Sequence, residues 1–466
     1  MPPTKPEFQA VVLATVSDGD TLAPLTDTLP LALLPVANRP LISYQLELLA
    51  RSHSFTQVLV LTVERWLPLL STWVSESYKG PLQVELLVVP ETAGSADALR
   101  HVKSKIVTDF VLLAGDVVTD VPFQQMADLH RLQGSAVTAL FREGAPREAG
   151  VVKKARDLDG IDFVGIDERG QRLLSLEAAA DCEGGAVSIS QSLLRAYPHV
   201  TLRTDLVDAH VYIFAHWVLD VLDLKEHFVS AKFELLPYLV RKQFLPKANL
   251  APARLAAASR AGAASGTTMA ASSQPTGAST GSPADASRPM LSPFAMAAEQ
   301  AARQQLLNAD DFRCSCYVMA HDAAYCLRAS SLKEYMQANF DVSRESRVTQ
   351  YEKAEASEGA PAKEGNFVHK SRDRDSTLGE GVEVAGRTAI KKSSIGPHCR
   401  IGSGVKLTNC ILMDHVVVGD KVSMSNTIVC ANAEIKEGAS LKDAQVAAGV
   451  TVEAGGGHKG EAFNEE

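Results

Sequence analysis

Two segments of the sequence combine glycine with aspartate, residue types that either help or hinder the binding of phosphate and its cations. Gly115 and Asp116 end a strand-like apolar run. A carboxylate can bind a cation such as Mg²⁺, but strand ends often carry an aspartate for turn or capping reasons. Residues 16–22 follow the first strand-like run and contain one glycine, Gly19, between two aspartates. Backbone amides reach phosphate oxygens where glycines allow close approach, and acidic side chains repel those oxygens. The second segment is therefore poorly suited to bind a triphosphate.

The elements that would position these segments are short apolar runs that alternate with longer amphipathic runs. This alternation is typical of strands and crossover helices in an α/β doubly wound domain with a parallel sheet. Because the strand-like runs show little polar alternation, we expect them to be covered on both faces. The predicted strands are Gln9–Ala14, Gln57–Val63, Gln83–Val89, Asp109–Leu113, Ala136–Phe141 and Val211–Phe214. The predicted helices are Leu41–Arg51, Trp66–Ser77, Ser95–Lys105, Glu234–Phe244 and Ala297–Leu307.

Two stretches interrupt this pattern and set the predicted domain boundaries. Residues 251–290 are rich in alanine, serine, glycine and threonine, and such stretches lack the bulky apolar side chains that offset the entropy of ordering. We expect a disordered insertion there, within a head domain at 8–343. Residues 344–375 are charged and poor in apolar side chains, which is typical of an interdomain linker.

A six-residue repeat of apolar residues follows the predicted linker. The residues that keep this step are Ile395, Ile401 and Leu407, then, after a slip of one residue, Val418, Met424 and Cys430, and finally Ile435 and Leu441. Gly396, Gly402 and Gly419 directly follow three aliphatic residues, where a tight corner needs a residue without a side chain. The repeat predicts a left-handed parallel β-helix at 376–455. Such a rod serves either as a structural or assembling element or as an acyltransferase, which would use His398 or His415.

The composition excludes several classes of protein. Hydrophobic residues make up 46% and charged residues 22%, as in globular domains, and neither a membrane span nor a secretion signal is expected. The net charge of −9 argues against direct binding of nucleic acid. The seven cysteines are odd in number and do not suggest a disulfide framework. Cys314 and Cys316 lack a second pair or a histidine cluster that would complete a zinc site, so we expect neither a metal nor a cofactor.

The junction between the first strand and the first helix resembles that of the sugar-1-phosphate nucleotidyltransferase superfamily. Residues 33–40, LLPVANRP, closely match the Leu-Pro-Val-Ala-Asn-Lys-Pro-like run that opens a helix in active members. Active members also have a glycine-rich loop with a basic residue and a Pro-Lys-Pro segment before that run. In this sequence Thr21 stands near the position of the expected arginine, and Leu31 replaces the expected lysine.

The resemblance implies a vestigial nucleotide pocket that has lost its cations. In the superfamily the carboxylate that corresponds to Asp116 would hold magnesium, and residues 91–99 resemble the base-recognition loop. The predicted pocket residues are Gly19, Thr21, Leu31, Gly94, Gly115 and Asp116. Because a departing pyrophosphate gathers negative charge, each lost cation costs about 100-fold in rate or more. We therefore expect a pseudo-nucleotidyltransferase without catalytic residues.

Several further segments resemble the gamma-subunit family of eukaryotic translation initiation factor two-B. They are residues 8–14, 206–212, 234–244, 316–318 and 329–339. The resemblance implies a non-catalytic subunit of the cytosolic complex that exchanges GDP for GTP on translation initiation factor two. It also implies pairing with the epsilon subunit and contacts with the alpha, beta and delta core subunits and with the substrate factor. Two other functions stay open: an active nucleotidyltransferase of the GDP-mannose type, and a regulatory pseudoenzyme that senses a sugar nucleotide.

Overall fold

The structure is a computed structural model that describes residues 7–14, 22–144, 162–167, 169–182, 187–244, 313–320, 323–343 and 376–463. We call the described residues up to 343 the head and those from 376 onward the rod. The predicted insertion at 251–290, the predicted helix Ala297–Leu307 and the predicted linker at 344–375 lie outside the described residues. The predicted division into domains therefore stays a prediction at these boundaries.

The head contains strands and helices in alternation, as predicted. Its strands are β1 (Phe8–Leu13), β2 (Pro35–Val36), β3 (Arg39–Pro40), β4 (Gln57–Val63), β5 (Gln83–Val89), β6 (Asp109–Ala114), β7 (Val117–Thr119), β8 (Ser135–Glu143), β9 (Asp162–Ile166), β10 (Leu173–Ala178), β11 (Thr201–Arg203), β12 (Leu206–Phe214), β13 (Arg313–Met319) and β14 (Cys326–Arg328). Its α-helices are α1 (Leu41–Arg51), α2 (Leu67–Glu76), α3 (Ser95–Val102), α4 (Phe123–Gln133), α5 (Gln191–Ala196), α6 (Val218–Leu224), α7 (Leu236–Lys242) and α8 (Leu332–Ser343).

The main sheet of the head has seven strands in the order β13-β8-β12-β6-β1-β4-β5. The pairs β1–β4, β1–β6, β4–β5 and β8–β13 are parallel, whereas β12 runs antiparallel to both β6 and β8. The expectation of a wholly parallel sheet is therefore wrong at β12. The start of β12 lies beside the end of β8, where Leu206 pairs with Glu143, so the chain re-enters the sheet from the end at which β8 left it. An antiparallel neighbour needs no crossover helix.

The main sheet is buried on both faces, as its unbroken apolar runs predicted. Successive residues of β1 point to opposite sides of the sheet. Val11 and Leu13 belong to one hydrophobic core, while Ala10 and Val12 belong to the other. Helices α3 and α6 cover the first core, and α1 and α4 cover the second. This arrangement confirms the doubly wound α/β class.

The rod consists of short parallel strands stacked in three sheets. Their bounds are β15 (Thr377–Leu378), β16 (Glu383–Val384), β17 (Ala389–Lys391), β18 (Ser394–Ile395), β19 (Arg400–Ile401), β20 (Lys406–Thr408), β21 (Ile411–Leu412), β22 (Val417–Val418), β23 (Ser423–Ser425), β24 (Ile428–Val429), β25 (Glu434–Ile435), β26 (Ser440–Lys442), β27 (Gln445–Val446), β28 (Thr451–Val452), β29 (Gly457–Lys459) and β30 (Ala462–Phe463). Every third strand joins the same sheet, so each coil contributes one strand to each side of a three-sided rod. The last two strands lie beyond the predicted boundary at residue 455.

The slip in the six-residue repeat recurs in every coil. Ile395 pairs with Leu412 and Leu407 with Met424, and hydrogen-bonded side chains in adjacent coils are likewise 17 residues apart. A coil is thus one residue shorter than three hexapeptides. For this reason Cys430, which keeps the six-residue step in the sequence, does not point into the rod. Val429 occupies that inward position, and Cys430 is buried instead against the head.

The corners of the rod contain residues in the left-handed region of backbone space. His398, His415 and Asn432 form one column with φ between 56° and 59°, and Gly404 and Gly438 belong to another. Gly419 does not need a positive φ, because its role is close approach between coils. A Cβ atom there would lie 2.7 Å from the backbone nitrogen of Glu437. The backbone of the next coil therefore leaves room only for glycine at this position.

Candidate functional site

Four of the six predicted pocket residues lie at the carboxyl end of the main sheet, in or beside the lining of a very small cavity. Leu31, Gly115 and Asp116 line it, while Gly94 lies just before the lining residue Ser95. The cavity has a volume of about 20 Å³, enough for a water molecule or two and far too small for a nucleotide. Gly19 and Thr21, the other two predicted pocket residues, lie outside the described residues. The other residues that line the cavity are Leu13, Leu112, Ala114, His210, Tyr212, Ala231, Lys232 and Arg328.

Asp116, the predicted metal-binding carboxylate, is buried and held by an arginine. Its side chain accepts hydrogen bonds from Arg328, with Nε at 3.2 Å from Oδ1 and Nη2 at 2.7 Å from Oδ2. Burial disfavours the guanidinium charge, but Asp116 outweighs it and raises the pKa of Arg328 above its usual value. Such a two-pronged charge-assisted pair is among the strongest side-chain interactions. The carboxylate is therefore already engaged by a fixed internal cation.

Two short strands bring this ion pair together. Strand β14 pairs antiparallel with β7, and Arg328 lies opposite Val117. The backbone nitrogen of Ala329 donates to the carbonyl oxygen of Asp116 at 2.8 Å. The two side chains are 212 positions apart in the sequence. Backbone pairing on both sides of the ion pair thus fixes its geometry.

A bulge in β12 turns His210 toward Arg328. The register of β12 against β8 shifts between Asp208 and Tyr212, and His210 has a φ of 53°, which is uncommon for a residue other than glycine. Asp208 compensates by accepting hydrogen bonds from the His210 backbone nitrogen at 2.8 Å and from the Tyr212 hydroxyl at 2.6 Å. Bulges often aim a side chain in this way.

His210 is a neutral acceptor in this arrangement. Nη1 of Arg328 donates to Nε2 of His210 at 2.7 Å. Burial, with the nearby charges of Arg328 and Lys232, lowers the pKa of His210 well below its ordinary value. Asp116, Arg328 and His210 therefore form a single buried network around the cavity.

The cavity does contain cations, which corrects one expectation from the sequence. We expected no positive side chain beside the vestigial pocket, yet both Arg328 and Lys232 line it. Each is paired with a carboxylate: Arg328 with Asp116, and Lys232 with Asp162 at 3.3 Å. Since both charges are already balanced by the chain itself, they offer a phosphate less attraction than free cations would.

The two glycines that the structure describes at this site are needed by the packing. A Cβ atom on Gly115 would lie 2.2 Å from the carbonyl oxygen of Leu13, and one on Gly94 would lie 2.4 Å from that of Val229. The start of α3 is also covered by its own chain. Ala96 donates to the Val229 carbonyl at 2.8 Å. The Ser95 hydroxyl oxygen accepts from the Ala231 backbone nitrogen at 2.7 Å. The predicted base-recognition loop is thus packed against residues 229–231.

The candidate histidines of the rod are exposed, and the candidate cysteines of the head are buried. His398 and His415 stack on each other at the exposed corner of two coils, with ring centres 5.1 Å apart. Cys314 and Cys316 are buried in β13, and burial raises the pKa of the Cys316 thiol to about 12. In the part of the chain that the structure describes, no group of three or more His, Cys, Asp or Glu side chains is placed to hold a metal ion. No helix among the same residues is long and apolar enough to cross a bilayer.

The well-preserved part of the family motif, residues 33–40, lies where the head meets the rod. Ala37 and Asn38 form the two-residue turn between β2 and β3, with φ values of 48° and 65°. This is the geometry of a tight hairpin. Asn38 Nδ2 donates to the carbonyl oxygen of Ile395 in the rod at 2.8 Å. The Ala37 backbone nitrogen donates to Asn339 Oδ1 in α8 at 2.9 Å.

A buried apolar cluster, which we call the head–rod seam, surrounds this hairpin. The Tyr335 hydroxyl donates to the Pro35 carbonyl oxygen at 2.5 Å and ties α8 to β2. Leu31 also belongs to the cluster, so the side chain at the position where the resemblance places a lysine contributes to apolar packing. The buried members from the head are Leu22, Leu25, Leu31, Leu34, Val36, Leu41, Tyr44, Val118, Ala329, Tyr335 and Ala338, and those from the rod are Ile411, Met413, Ile428 and Cys430.

Sequence reasoning missed Arg328 and His210. His210 lies within residues 206–212, which carried the resemblance, but nothing marked it as a site residue. For Arg328 there was no signal at all, because its partner is 212 positions away and its strand has three residues. Periodicity cannot identify so short an element.

Two family models match the chain. The model described as "Nucleotidyl transferase" matches residues 9–169. The model described as "EIF2B subunit epsilon LbH domain" matches residues 368–456. The two matches fall on the head and on the rod, and they support the predicted order of an α/β domain followed by a left-handed parallel β-helix.

Several similar proteins with curated descriptions carry the names of subunits of one translation factor. Translation initiation factor eIF2B subunit gamma of Dictyostelium discoideum is 31% identical over 424 residues, which cover 85% of this chain and 89% of that protein. The gamma subunit of Schizosaccharomyces pombe is 35% identical over 51% of this chain and 52% of its own length. The epsilon subunit of the same yeast is 30% identical over 48% of this chain and 34% of its own length. The chain therefore belongs to the family of eIF2B gamma subunits.

Proposed function

We propose that this chain is a non-catalytic subunit of the cytosolic complex that exchanges GDP for GTP on translation initiation factor two. In this proposal the head is a pseudo-nucleotidyltransferase, and head and rod together form a scaffold. The chain pairs with the epsilon subunit, contacts the alpha, beta and delta core subunits, and helps to position the substrate factor. Membership in the gamma-subunit family supports this role.

One observation carries the non-catalytic part of the proposal. Asp116, the residue that would hold a metal ion in an enzyme of this superfamily, is paired with Arg328 beside a cavity of about 20 Å³. Stabilising a leaving pyrophosphate requires free positive charge at the reacting phosphate. Here the cations balance internal carboxylates, and Leu31 provides only apolar surface. The site therefore supports architecture better than phosphoryl chemistry.

The seam supports the scaffold part of the proposal. Its apolar side chains come from three separate parts of the head and from the rod, and most are fully buried. Burying such side chains contributes on the order of 2 kcal/mol each. A head and rod held together in this way present their outer faces in fixed relation, which is what a subunit that organises several partners needs.

Co-purification tests the assembly role. We expect the full chain to form a stable complex with the epsilon subunit when the two are co-expressed and separated by size exclusion. Obligate interfaces commonly bury about 2,000 Å² or more, so the complex should survive dilution to micromolar concentration. A chain that is soluble, monomeric and indifferent to epsilon under these conditions would contradict the proposal.

An enzyme assay tests the pseudoenzyme role against an active nucleotidyltransferase. The full chain is incubated with Mg²⁺, pyrophosphate and GDP-mannose or another sugar nucleotide, and release of the nucleoside triphosphate is measured. We expect no turnover above that of the Asp116→Ala variant. Turnover that Asp116→Ala abolishes would establish the rival function.

The second candidate function is that of a regulatory pseudoenzyme that senses a sugar nucleotide. A second, larger cavity supports this candidate. A cavity of about 560 Å³ opens beside Lys232, and Glu177, Tyr238 and Arg241 are among its lining residues. This volume falls within the range of small-molecule sites. Calorimetry of the full chain with GDP-mannose and with GDP separates a sensor, which gives saturable heat, from a scaffold, which gives none.

A further inference from the structure

The three faces of the rod differ in charge. The first face, formed by β15, β18, β21, β24, β27 and β30, carries Ile411, Met413 and Ile428, which are buried in the head–rod seam. The second face, formed by β16, β19, β22, β25 and β28, carries both signs of charge. The third face, formed by β17, β20, β23, β26 and β29, is basic. We call it the lysine face.

The lysine face is a narrow, regular surface. In its strands the middle residue points into the rod, as Leu407 and Leu441 do, and the two flanking residues point outward. The outward residues include four exposed lysines, and none of them is Asp or Glu. Since strands in a sheet are about 4.8 Å apart, five strands span roughly 19 Å along the rod. The four lysines are Lys391, Lys406, Lys442 and Lys459.

These lysines are not paired with carboxylates of the described residues, whereas cations on the neighbouring face are. On the second face Arg400 pairs with Glu383 at 3.4 Å and Lys436 with Glu453 at 3.0 Å, each across adjacent coils. Among the described residues no ion pair includes a lysine of the lysine face. The adjacent carboxylate of Asp443 accepts a hydrogen bond from Asn426 at 2.9 Å. Uncompensated charge of one sign raises the affinity of a surface for the opposite sign.

The dimensions of the lysine face favour a polypeptide over a nucleic acid. Its outward positions carry no aromatic ring on which a base could stack, and the net charge of −9 repels a long polyanion. Between the lysines lie the hydroxyls of Thr408, Ser423, Ser425 and Ser440, which can donate hydrogen bonds to carboxylates. A strip three residues wide and roughly 19 Å long fits one extended chain laid across the strands.

We propose that the lysine face is a docking surface for an acidic, extended polypeptide segment of another protein. Carboxylates of the segment pair with the four lysines. The serine and threonine hydroxyls between the lysines form hydrogen bonds with the other polar groups of the segment. This surface lies on a different side of the rod from the head–rod seam, so it is available while head and rod stay packed together.

Binding of a labelled acidic peptide to the full chain tests this proposal. Hexaglutamate is a suitable probe, because its extended length of roughly 20 Å matches the face. Fluorescence anisotropy measures its affinity for the wild type and for a variant with Lys391, Lys406, Lys442 and Lys459 changed to Gln. We expect the variant to bind at least about tenfold more weakly, and wild-type affinity to fall as salt is raised.

A matched variant controls for the overall loss of charge. Changing Arg387, Arg400, Lys421 and Lys436 to Gln removes the same number of cations from other parts of the same rod, and we expect less than about a threefold effect. Equal weakening by both variants, no effect of the lysine-face variant, or no measurable binding of hexaglutamate to the wild type would overturn the proposal. Tighter binding of a six-nucleotide thymidylate than of hexaglutamate would also overturn it, in favour of nucleic acid. None of these outcomes bears on co-purification with epsilon, which tests the proposed function separately.

Discussion

The cavity at the end of the sheet and the head–rod seam contain two halves of the same family motif. Only the half in the seam keeps the family's residues. In the seam, residues 33–40 keep the family pattern, and Leu34 and Val36 are fully buried. At the cavity the pattern is lost, and Leu31 stands where the resemblance places a lysine. Leu31 nevertheless belongs to the seam as well. The side chain that replaces the lysine therefore joins the half of the motif that packs.

This difference separates what the fold needs from what a reaction needs. A hairpin that bonds to both α8 and the rod is required for the head and rod to stay together, whatever the chemistry. A lysine beside a leaving phosphate is required only for turnover. Gly115 and Gly94 belong with the first kind, since a side chain at either position would meet backbone oxygens. The retained motif residues that the structure describes therefore have packing roles in this protein.

The largest predicted effect is at the cavity. Arg328→Met leaves the buried Asp116 carboxylate without its cation, and we expect the free energy of unfolding to fall by about 4 kcal/mol. Urea denaturation measures it. The double variant Arg328→Met with Asp116→Asn should recover at least half of the loss, because no unpaired charge remains. A stable Arg328→Met single variant would mean that Asp116 has another partner, and would reopen the question of a metal site.

The next effect is at the seam. Leu34→Ala removes a fully buried side chain from the cluster, and we expect a loss of about 3 kcal/mol in the free energy of unfolding. Leu132→Ala is the matched control, because Leu132 is 84% exposed and should change stability by less than about 0.5 kcal/mol. Equal effects of the two substitutions in urea denaturation would show that the seam contributes little.

The pH dependence of stability tests whether the cavity holds His210 neutral. The pKa of His210 is lowered in the folded state, mainly by burial, so below its ordinary pKa the unfolded chain binds more protons than the folded chain. Stability therefore falls as pH drops below about 6.5, by up to about 1.4 kcal/mol per pH unit for this residue. Urea denaturation between pH 7 and pH 5 should show a shallower fall, by about 2 kcal/mol, in His210→Asn.

Asparagine suits this test because it tolerates the positive φ of residue 210. His53→Asn is the control, since His53 is exposed and also has a φ of 53°. This control shows what the loss of a histidine at a positive-φ position does to stability without any change at the cavity. A fall of equal size in His210→Asn and the wild type would show that His210 is not held neutral by the cavity.

The smallest effect distinguishes apolar packing from hydrogen bonding in the seam. Tyr335→Phe removes only the hydroxyl that donates to the Pro35 carbonyl oxygen, and we expect a loss of about 1 kcal/mol. The midpoint of urea denaturation measures it against the wild type. A loss as large as that of Leu34→Ala would mean that the hydrogen bonds of the hairpin, rather than its apolar packing, hold head and rod together.

The sequence predicted those elements whose pattern is local. Helix Leu41–Arg51 and strands Gln57–Val63 and Gln83–Val89 have the predicted bounds, because a change between the periods of helix and strand marks their ends. The predicted helix Trp66–Ser77 instead begins as a 3₁₀ turn at Glu64–Trp66 before α2. The predicted helix Ser95–Lys105 closes in a 3₁₀ turn at Lys103–Lys105. Such end turns leave the apolar pattern unchanged.

Elements that depend on distant partners were predicted less well. The small sheet of β9, β10 and β11 and the short strand β14 were missed, because three to six residues give too little periodicity to recognise. The reversed direction of β12 follows from the route of the chain between β8 and β12, which no run of residues records. The coil length of 17 residues was visible only as a slip in a repeat of six.

By itself, the sequence determined that this protein has an α/β head followed by a parallel β-helix, because both follow from periodicity, which is a local property of the chain. It also showed that Thr21 and Leu31 stand where the resemblance places basic residues. The tertiary structure alone decided that Arg328 neutralises Asp116, that the surviving motif forms the seam, and that four lysines share one face. Those facts depend on contacts between residues tens to hundreds of positions apart, where only the folded chain brings charge and shape together.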